Sequence, residues 1–224
     1  MRADEPIRVA LVDDQELMRS ALRMTVESQP DLVLVGEASD GHEALALVRA
    51  HRVDVVLMDL RMPRLDGIKA TEVITAELPA TRVVALTTFD LDEYAFAAIR
   101  AGASAFLLKD ARAEEIIEAI RVVHAGQAVV APSTTRRLIE HLASTPDFDP
   151  SRGEAVLEAL TPRESEVLRR IATGATNAEI ATAMHLSGTT VKTHVGHVLA
   201  KLGLRDRVQA VVLAYESGLV RPGQ

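Results

Sequence analysis

Apolar and helical patterns alternate five times along the first half of the chain. Short runs rich in β-branched and aliphatic residues occur at Ile7 to Val12, Leu32 to Ala38, Val53 to Met58, Arg82 to Leu86 and Ser104 to Leu108. Each reads as a strand of a buried parallel sheet. Between and after them, apolar residues recur at helical spacing. Leu17, Ala21, Leu22 and Val26 predict a helix over 15–28, and Ala44, Leu45, Leu47 and Val48 mark one that begins at Asp40-Gly41. Further helices are expected over 67–78, 91–101 and 112–124, with Pro79, Gly102 and Gly126 as breaks. Five β-α units in strict alternation imply a doubly wound α/β domain with right-handed crossovers.

From Gly126 the rhythm changes. Val129 to Ser133 is extended in character, Thr134 to Ala143 has the length of one short helix, and 144–155 has the Pro, Ser, Asp and Gly content of a linker. The expected organisation is therefore a first domain over 1–126, a connecting region over 127–155 and a second domain over 156–224. In the second domain, Thr161-Pro162-Arg163-Glu164 and Thr176-Asn177-Ala178-Glu179 are capping boxes, and Ser187 caps a third start. Helices over 162–173, 177–184 and 188–202 follow. A short helix and a longer one joined by Met184 to Ser187 make a helix-turn-helix, with the longer helix as the reader of DNA. Its core is expected from Ile171, Ile180, Ala181, Leu186, Val191, Val195, Leu199 and Leu202.

Composition adds bounds. The 224 residues suffice for two domains with cores, and the absence of cysteine removes disulfides, thiolate metal sites and cysteine nucleophiles. With neither a signal-peptide core nor an apolar run of membrane-spanning length, a cytoplasmic protein without membrane contact is expected. The net charge of −7 is uneven: residues 1–127 hold 14 Lys/Arg against 22 Asp/Glu, while residues 128–224 hold 11 against 10. The acidity belongs to the first domain, so it does not exclude DNA as a partner of the second.

The chemistry lies at the strand ends. Asp13 and Asp14 follow the first strand, Asp59 ends the third, Thr87 the fourth and Lys109 the fifth. In an open parallel sheet ligands bind in the crevice at this rim. If the first and third strands are neighbours, as in the flavodoxin-like order 2-1-3-4-5, three carboxylates converge and call for a hard cation such as Mg²⁺. Taken singly, each acid reads equally well as a helix cap or a solvated turn residue. The set in this order does not.

The acidic pair, Asp59-Leu-Arg-Met-Pro, Thr87 and Lys109 resemble the receiver domain of response regulators, and the whole chain is similar to the NarL/FixJ family. The resemblance implies that Asp59 accepts a phosphoryl group from a histidine kinase. It assigns Mg²⁺ to Asp13, Asp14, Asp59 and the carbonyl of Arg61, and phosphoryl contacts to Thr87 and Lys109, with Phe106 as an aromatic switch. The second domain resembles the LuxR-type helix-turn-helix in Leu160-Thr-Pro-Arg-Glu-Ser-Glu-Val-Leu, Asn177-Ala-Glu-Ile-Ala, Thr190-Val-Lys-Thr-His-Val and Leu199-Ala-Lys-Leu-Gly-Leu. That likeness places Lys192 and Thr193 in the major groove of double-stranded DNA, Thr189 and Thr190 near phosphates, and Lys201 and Arg205 on the backbone. Gly196 departs from the pattern, since relatives often carry a polar or basic residue there. His194 and His197 are read as polar or phosphate neighbours rather than metal ligands, for want of a third ligand.

Val208, Val211, Val212 and Tyr215 form one stripe, read either as packing within the domain or as the contact of a homodimer. The implied protein is a transcription regulator rather than an enzyme, switched by phosphorylation through dimerisation or domain rearrangement. Two alternatives stand beside it. A haloacid-dehalogenase-type hydrolase also starts from an acid at a strand end, but it wants a second acid where Arg61 stands; a receiver answering a small ligand would leave the acidic pocket unused.

Overall fold

The computed structural model describes residues 5–87, 92–126 and 156–220. The chain divides into two compact units, Met1–Val129 and Val130–Gln224. In the first, β1 (Ile7–Val12), α1 (Glu16–Glu27), β2 (Leu32–Ala38), α2 (Gly41–Ala50), β3 (Val55–Asp59), α3 (Gly67–Glu77), β4 (Arg82–Thr87), α4 (Asp92–Arg100), β5 (Ala105–Leu108) and α5 (Ala113–His124) follow one another. All four strand pairs are parallel, in the order β2-β1-β3-β4-β5. This is the expected flavodoxin-like, doubly wound sheet.

Side chains alternate across a strand, so β1, β3 and β4 feed two separate cores. Val9, Leu11, Val55, Leu57, Val84 and Leu86 pack with Leu22 and Val26 of α1 and with Ile116, Ile120 and Val123 of α5. Ala10, Val12, Val56, Met58 and Val83 meet Ala44, Val48, Ala70 and Ile74 of α2 and α3. Each large aliphatic chain so enclosed contributes about 1.5–3 kcal/mol of transfer free energy, and β1 and β3 are buried over nearly their whole length. Their carboxyl ends are where Asp13 and Asp59 stand.

Two details differ from the periodicity. β3 begins at Val55 rather than Val53, although the backbone of Asp54 still bonds Arg8 and Arg82, and its side chain accepts a hydrogen bond of 2.9 Å from the Arg8 amide. On α1 only part of the expected stripe faces the core: Leu22 and Val26 are buried, whereas Leu17 is 85% and Met24 67% exposed, and Ala21 is exposed as well.

The second unit contains α6 (Pro162–Ala172), α7 (Asn177–Met184), α8 (Gly188–Lys201) and α9 (Arg207–Glu216). Both capping boxes form, and Ser187 accepts from the Thr190 amide at 3.1 Å. A fourth cap is present: Asp206 accepts from the amides of Val208 and Gln209 and starts α9. His185 takes a left-handed conformation, φ 54°, and so turns the chain from α7 into α8. Ile171, Ile180 and Val191 are buried as expected, but Val198 takes the central place on α8 while Val195, Leu199 and Leu202 are half-buried. The extended stretch 129–133, the short helix over 134–143 and the linker 144–155 lie outside the described residues. Among the described residues no helix is long and apolar enough to cross a membrane.

Candidate functional site

Parallel pairing fixes the rim. Because Val12 of β1 stands beside Met58 of β3, the residues that follow, Asp13 and Asp59, emerge next to each other. One oxygen of each of Asp13, Asp14 and Asp59 lies within 4.8 Å of the others. Asp13 and Asp59 are buried, and Asp14 is exposed at the mouth. Thr87 ends β4 opposite Leu108, and the Lys109 amide donates to the Thr87 carbonyl at 2.7 Å. That bond directs the Lys109 side chain over the sheet end, where Nζ lies 2.5 Å from Asp13 Oδ2 and 2.9 Å from Asp59 Oδ2. The ends of β1, β3 and β5 thus bring their side chains together, with Thr87 ending β4 between β3 and β5.

Burial pushes the Asp59 carboxyl above its ordinary value, against the pull of the Lys109 ammonium and of the Arg61 amide, which donates to Oδ1 at 3.1 Å. The same burial acts against the charge on Lys109, yet its hydrogen bonds to Asp13 and Asp59 outweigh it and hold the ammonium above its ordinary value. The result is a desolvated acid kept beside a fixed positive charge. All three acids offer hard oxygen donors, the ligand type that suits Mg²⁺.

Several supporting residues were not singled out from the sequence. The Asp13 loop is held by the Gln15 amide on Asp13 Oδ1 and by Arg19 Nη1 on the Asp13 carbonyl, at 2.9 and 2.7 Å. Gly67, read only as a turn signal, is required by a close approach: a Cβ there would stand 1.9 Å from the Asp59 carbonyl oxygen. Arg64, at φ 68°, reaches across to the buried Asp40 that caps α2, tying the loop after Asp59 to its neighbour. The exposed Arg61 guanidinium lies 5.6 Å from the centre of the Tyr94 ring on α4. Phe106 is buried in a cluster with Leu60, Ala85, Ala98 and Ala103, against which Tyr94 packs.

In the second unit, Thr189, Thr190, Lys192 and Thr193 share the exposed side of α8. That helix bears two lysines and two histidines and no acid. Lys201, assigned from the sequence to the DNA backbone, is exposed but paired with Glu164 at 2.7 Å; Arg205 is half-buried and has partners within the protein. Of the two readings of the α9 stripe, burial favours packing within the domain. Val208, Val211 and Val212 are 1%, 3% and 6% exposed, and a side chain already enclosed by its own chain has no surface to give a partner. Packing accounts for them, α9 lying chiefly on α6, and only Tyr215 of the four is half-exposed. Arg207, also unforeseen, bonds Asn177 Oδ1 and the Ala175 carbonyl and anchors the start of α7.

Comparison with known proteins agrees with this geometry. The model of the response regulator receiver domain matches residues 9–121, and that of the luxR family of bacterial regulatory proteins matches residues 158–214. YxjL of Bacillus subtilis, described as an uncharacterized transcriptional regulatory protein, is 44% identical over 97% of this chain and 99% of its own length. LiaR of the same organism, a transcriptional regulatory protein, is 41% identical over 96% and 99%. Among solved structures, the response regulator ChrA of a heme-sensing two-component system is 33% identical, covers 96% of this chain and 99% of its own, and superposes with a TM-score of 0.51.

Proposed function

The chain belongs to the response regulators of two-component systems that join a receiver to a LuxR-type DNA-binding domain, and from that premise we propose that Asp59 is its phosphoryl acceptor. The observation that supports this most is the Asp59 carboxylate, buried at the end of the central strand, 2.9 Å from Lys109 and within 4.8 Å of Asp13 and Asp14.

Phosphoryl transfer is largely positioning and neutralisation of charge. An Asp59 carboxylate oxygen attacks the phosphorus of a phosphohistidine, the P–N bond breaks with its electron pair going to the imidazole, and an acyl phosphate forms. Asp59 reacts as the carboxylate, the form that Lys109 favours. Asp13, Asp14, Asp59 and the Arg61 carbonyl would hold Mg²⁺, which supplies positive charge to the transferring oxygens. Lys109 and the Thr87 hydroxyl receive the phosphoryl oxygens, and Thr87 passes the change to the cluster around Phe106.

The donor is a cognate sensor histidine kinase. Its access is supported by the exposed apolar residues Leu17, Ala21 and Met24 on α1, the helix that leaves the Asp13-Asp14 loop. The readout is double-stranded DNA, with Lys192 and Thr193 on base edges and Thr189 and Thr190 near phosphates, and with Lys201 and Arg205 close to the backbone. Phosphorylation promotes a homodimer or a changed domain arrangement in the cytoplasm. With Val208, Val211 and Val212 enclosed, a dimer contact on α9 falls to the half-buried Tyr215, Leu213 and Glu216.

The test is phosphorylation of the full chain by acetyl phosphate and Mg²⁺, followed by intact mass and DNA affinity, with Asp59→Asn as control. One added phosphoryl group, lost in the variant, together with tighter DNA binding, is expected. An unmodified wild-type chain would overturn the assignment.

A further inference from the structure

Every glycine in the described helices and strands except two has a visible reason. A Cβ on Gly36, Gly41 or Gly67 would meet Leu47, Leu65 or the Asp59 backbone at 2.7 Å or less. Others, such as Gly174 and Gly203, follow helix ends at positive φ, where glycine is favoured. Gly188 occupies the first position of α8, where a glycine disturbs no interior turn. Gly196 remains. It is the one glycine interior to a described helix, it is exposed, and a Cβ built on it would meet nothing within 4 Å.

Glycine in a helix interior is unfavourable relative to alanine, because it frees the unfolded backbone and adds no contact. Neither the packing nor the backbone of this protein offsets that cost. The position is informative. At about 100° per residue, Gly196 lies on the side of α8 opposite the buried Val191 and Val198, in line with the exposed Thr189, Lys192 and Thr193. Among the described residues nothing covers this line, and no acid on α8 opposes a phosphate or base edge.

We propose that Gly196 is a DNA-contacting position, where the missing side chain lets the middle turn of α8 seat its backbone against the major groove. The proposal rests on the DNA-reading role given to α8 above. It makes Gly196 a determinant of specificity by close approach rather than by hydrogen bonding: a Cβ lifts the helix, and the base contacts of Lys192 and Thr193 lengthen with it.

The test compares the full-length wild type with Gly196→Ala and Gly196→Ser, each in acetyl phosphate and Mg²⁺. The probe is a duplex enriched by the wild type from a randomised pool of about 30 base pairs, long enough for two half-sites one helical turn apart. Gly196→Ala is expected to raise the melting midpoint of the second unit by about 4 °C. It is also expected to weaken binding to the enriched duplex tenfold or more, the loss of roughly one good base contact. Binding to unselected duplex should be nearly unchanged, since it depends on phosphate charge. Gly196→Ser should weaken the enriched duplex at least as much. If both variants bind the enriched duplex as the wild type does, the proposal is overturned while DNA reading by α8 stands. If the wild type enriches no sequence, the reading role fails and takes the proposal with it.

Discussion

The Lys201 ammonium sits 2.7 Å from the Glu164 carboxylate and ties the last residue of α8 to the first turn of α6. Glu164 also accepts from the Thr161 amide at 2.8 Å, so one carboxylate closes a capping box and joins two helices. The hydrogen bond from Lys201, then that from Thr161, lowers its pKa from 4.5 to about 2. A depressed folded value means that the linked stability is complete above pH 4.5 and is lost as the pH falls toward about 2. Thermal unfolding of the full chain, followed by helical circular dichroism, should therefore show the second unit losing stability across that window. Glu164→Gln should start lower at neutral pH and decline less steeply. Parallel curves for the two proteins would show that this pair contributes nothing.

The same contact separates two roles for lysines on α8. Lys192 is exposed at the reading end, whereas Lys201 is engaged within the protein. A lysine that neutralises a phosphate adds about one unit to the slope of log affinity against log salt. Lys192→Met is expected to weaken sequence-specific binding most, because its proposed partner is a base edge. Lys201→Met should lower both the stability of the second unit and the salt slope if the lysine reaches DNA in the complex, and stability alone if it does not. Titrations of the full chain at several salt concentrations read both quantities.

Among the described residues, Lys109 is the one cation in short contact with both buried acids of the receiver pocket. Replacing it by Met leaves Asp13 and Asp59 desolvated without that charge, and removing one partner of a buried pair costs on the order of 3 kcal/mol or more. Urea unfolding of Lys109→Met should show that loss for the first unit, and millimolar Mg²⁺ should recover more stability in the variant than in the wild type. Equal Mg²⁺ effects on the two proteins would mean that the acids do not share a cation site.

The strand ends were legible because each is an abrupt change from an apolar run to a polar residue, at Asp13, Asp59, Thr87 and Lys109. Continuous apolar runs then sufficed for the sheet, and capping signals for the starts of α6 to α8. What spacing did not distinguish is which side of an apolar stripe meets the core. Leu17 and Met24 belong to a helical pattern yet face outward, while Val208, Val211 and Val212, equally apolar, are enclosed. Nor does composition reveal a contact made by backbone. The need for Gly67 comes from the Asp59 carbonyl, and the Arg64 tie to Asp40 joins two loops far apart in sequence.

Leu17 and Met24 lie two turns apart on one side of α1, exposed at 85% and 67%, and large apolar side chains at such exposure gain from cover. Their helix begins two residues after Asp14, so a protein seated on it would lie beside the mouth of the acidic site. Leu17→Glu with Met24→Glu should therefore leave phosphorylation by acetyl phosphate unchanged, because a small donor needs only the pocket. Transfer from the phosphorylated cognate kinase should slow tenfold or more, the loss of two buried apolar contacts of about 1 kcal/mol or more each. The check is a time course of transfer at limiting regulator, run beside the acetyl phosphate reaction. Slowing of both reactions alike would place the defect in the pocket, and slowing of neither would move the kinase contact away from α1.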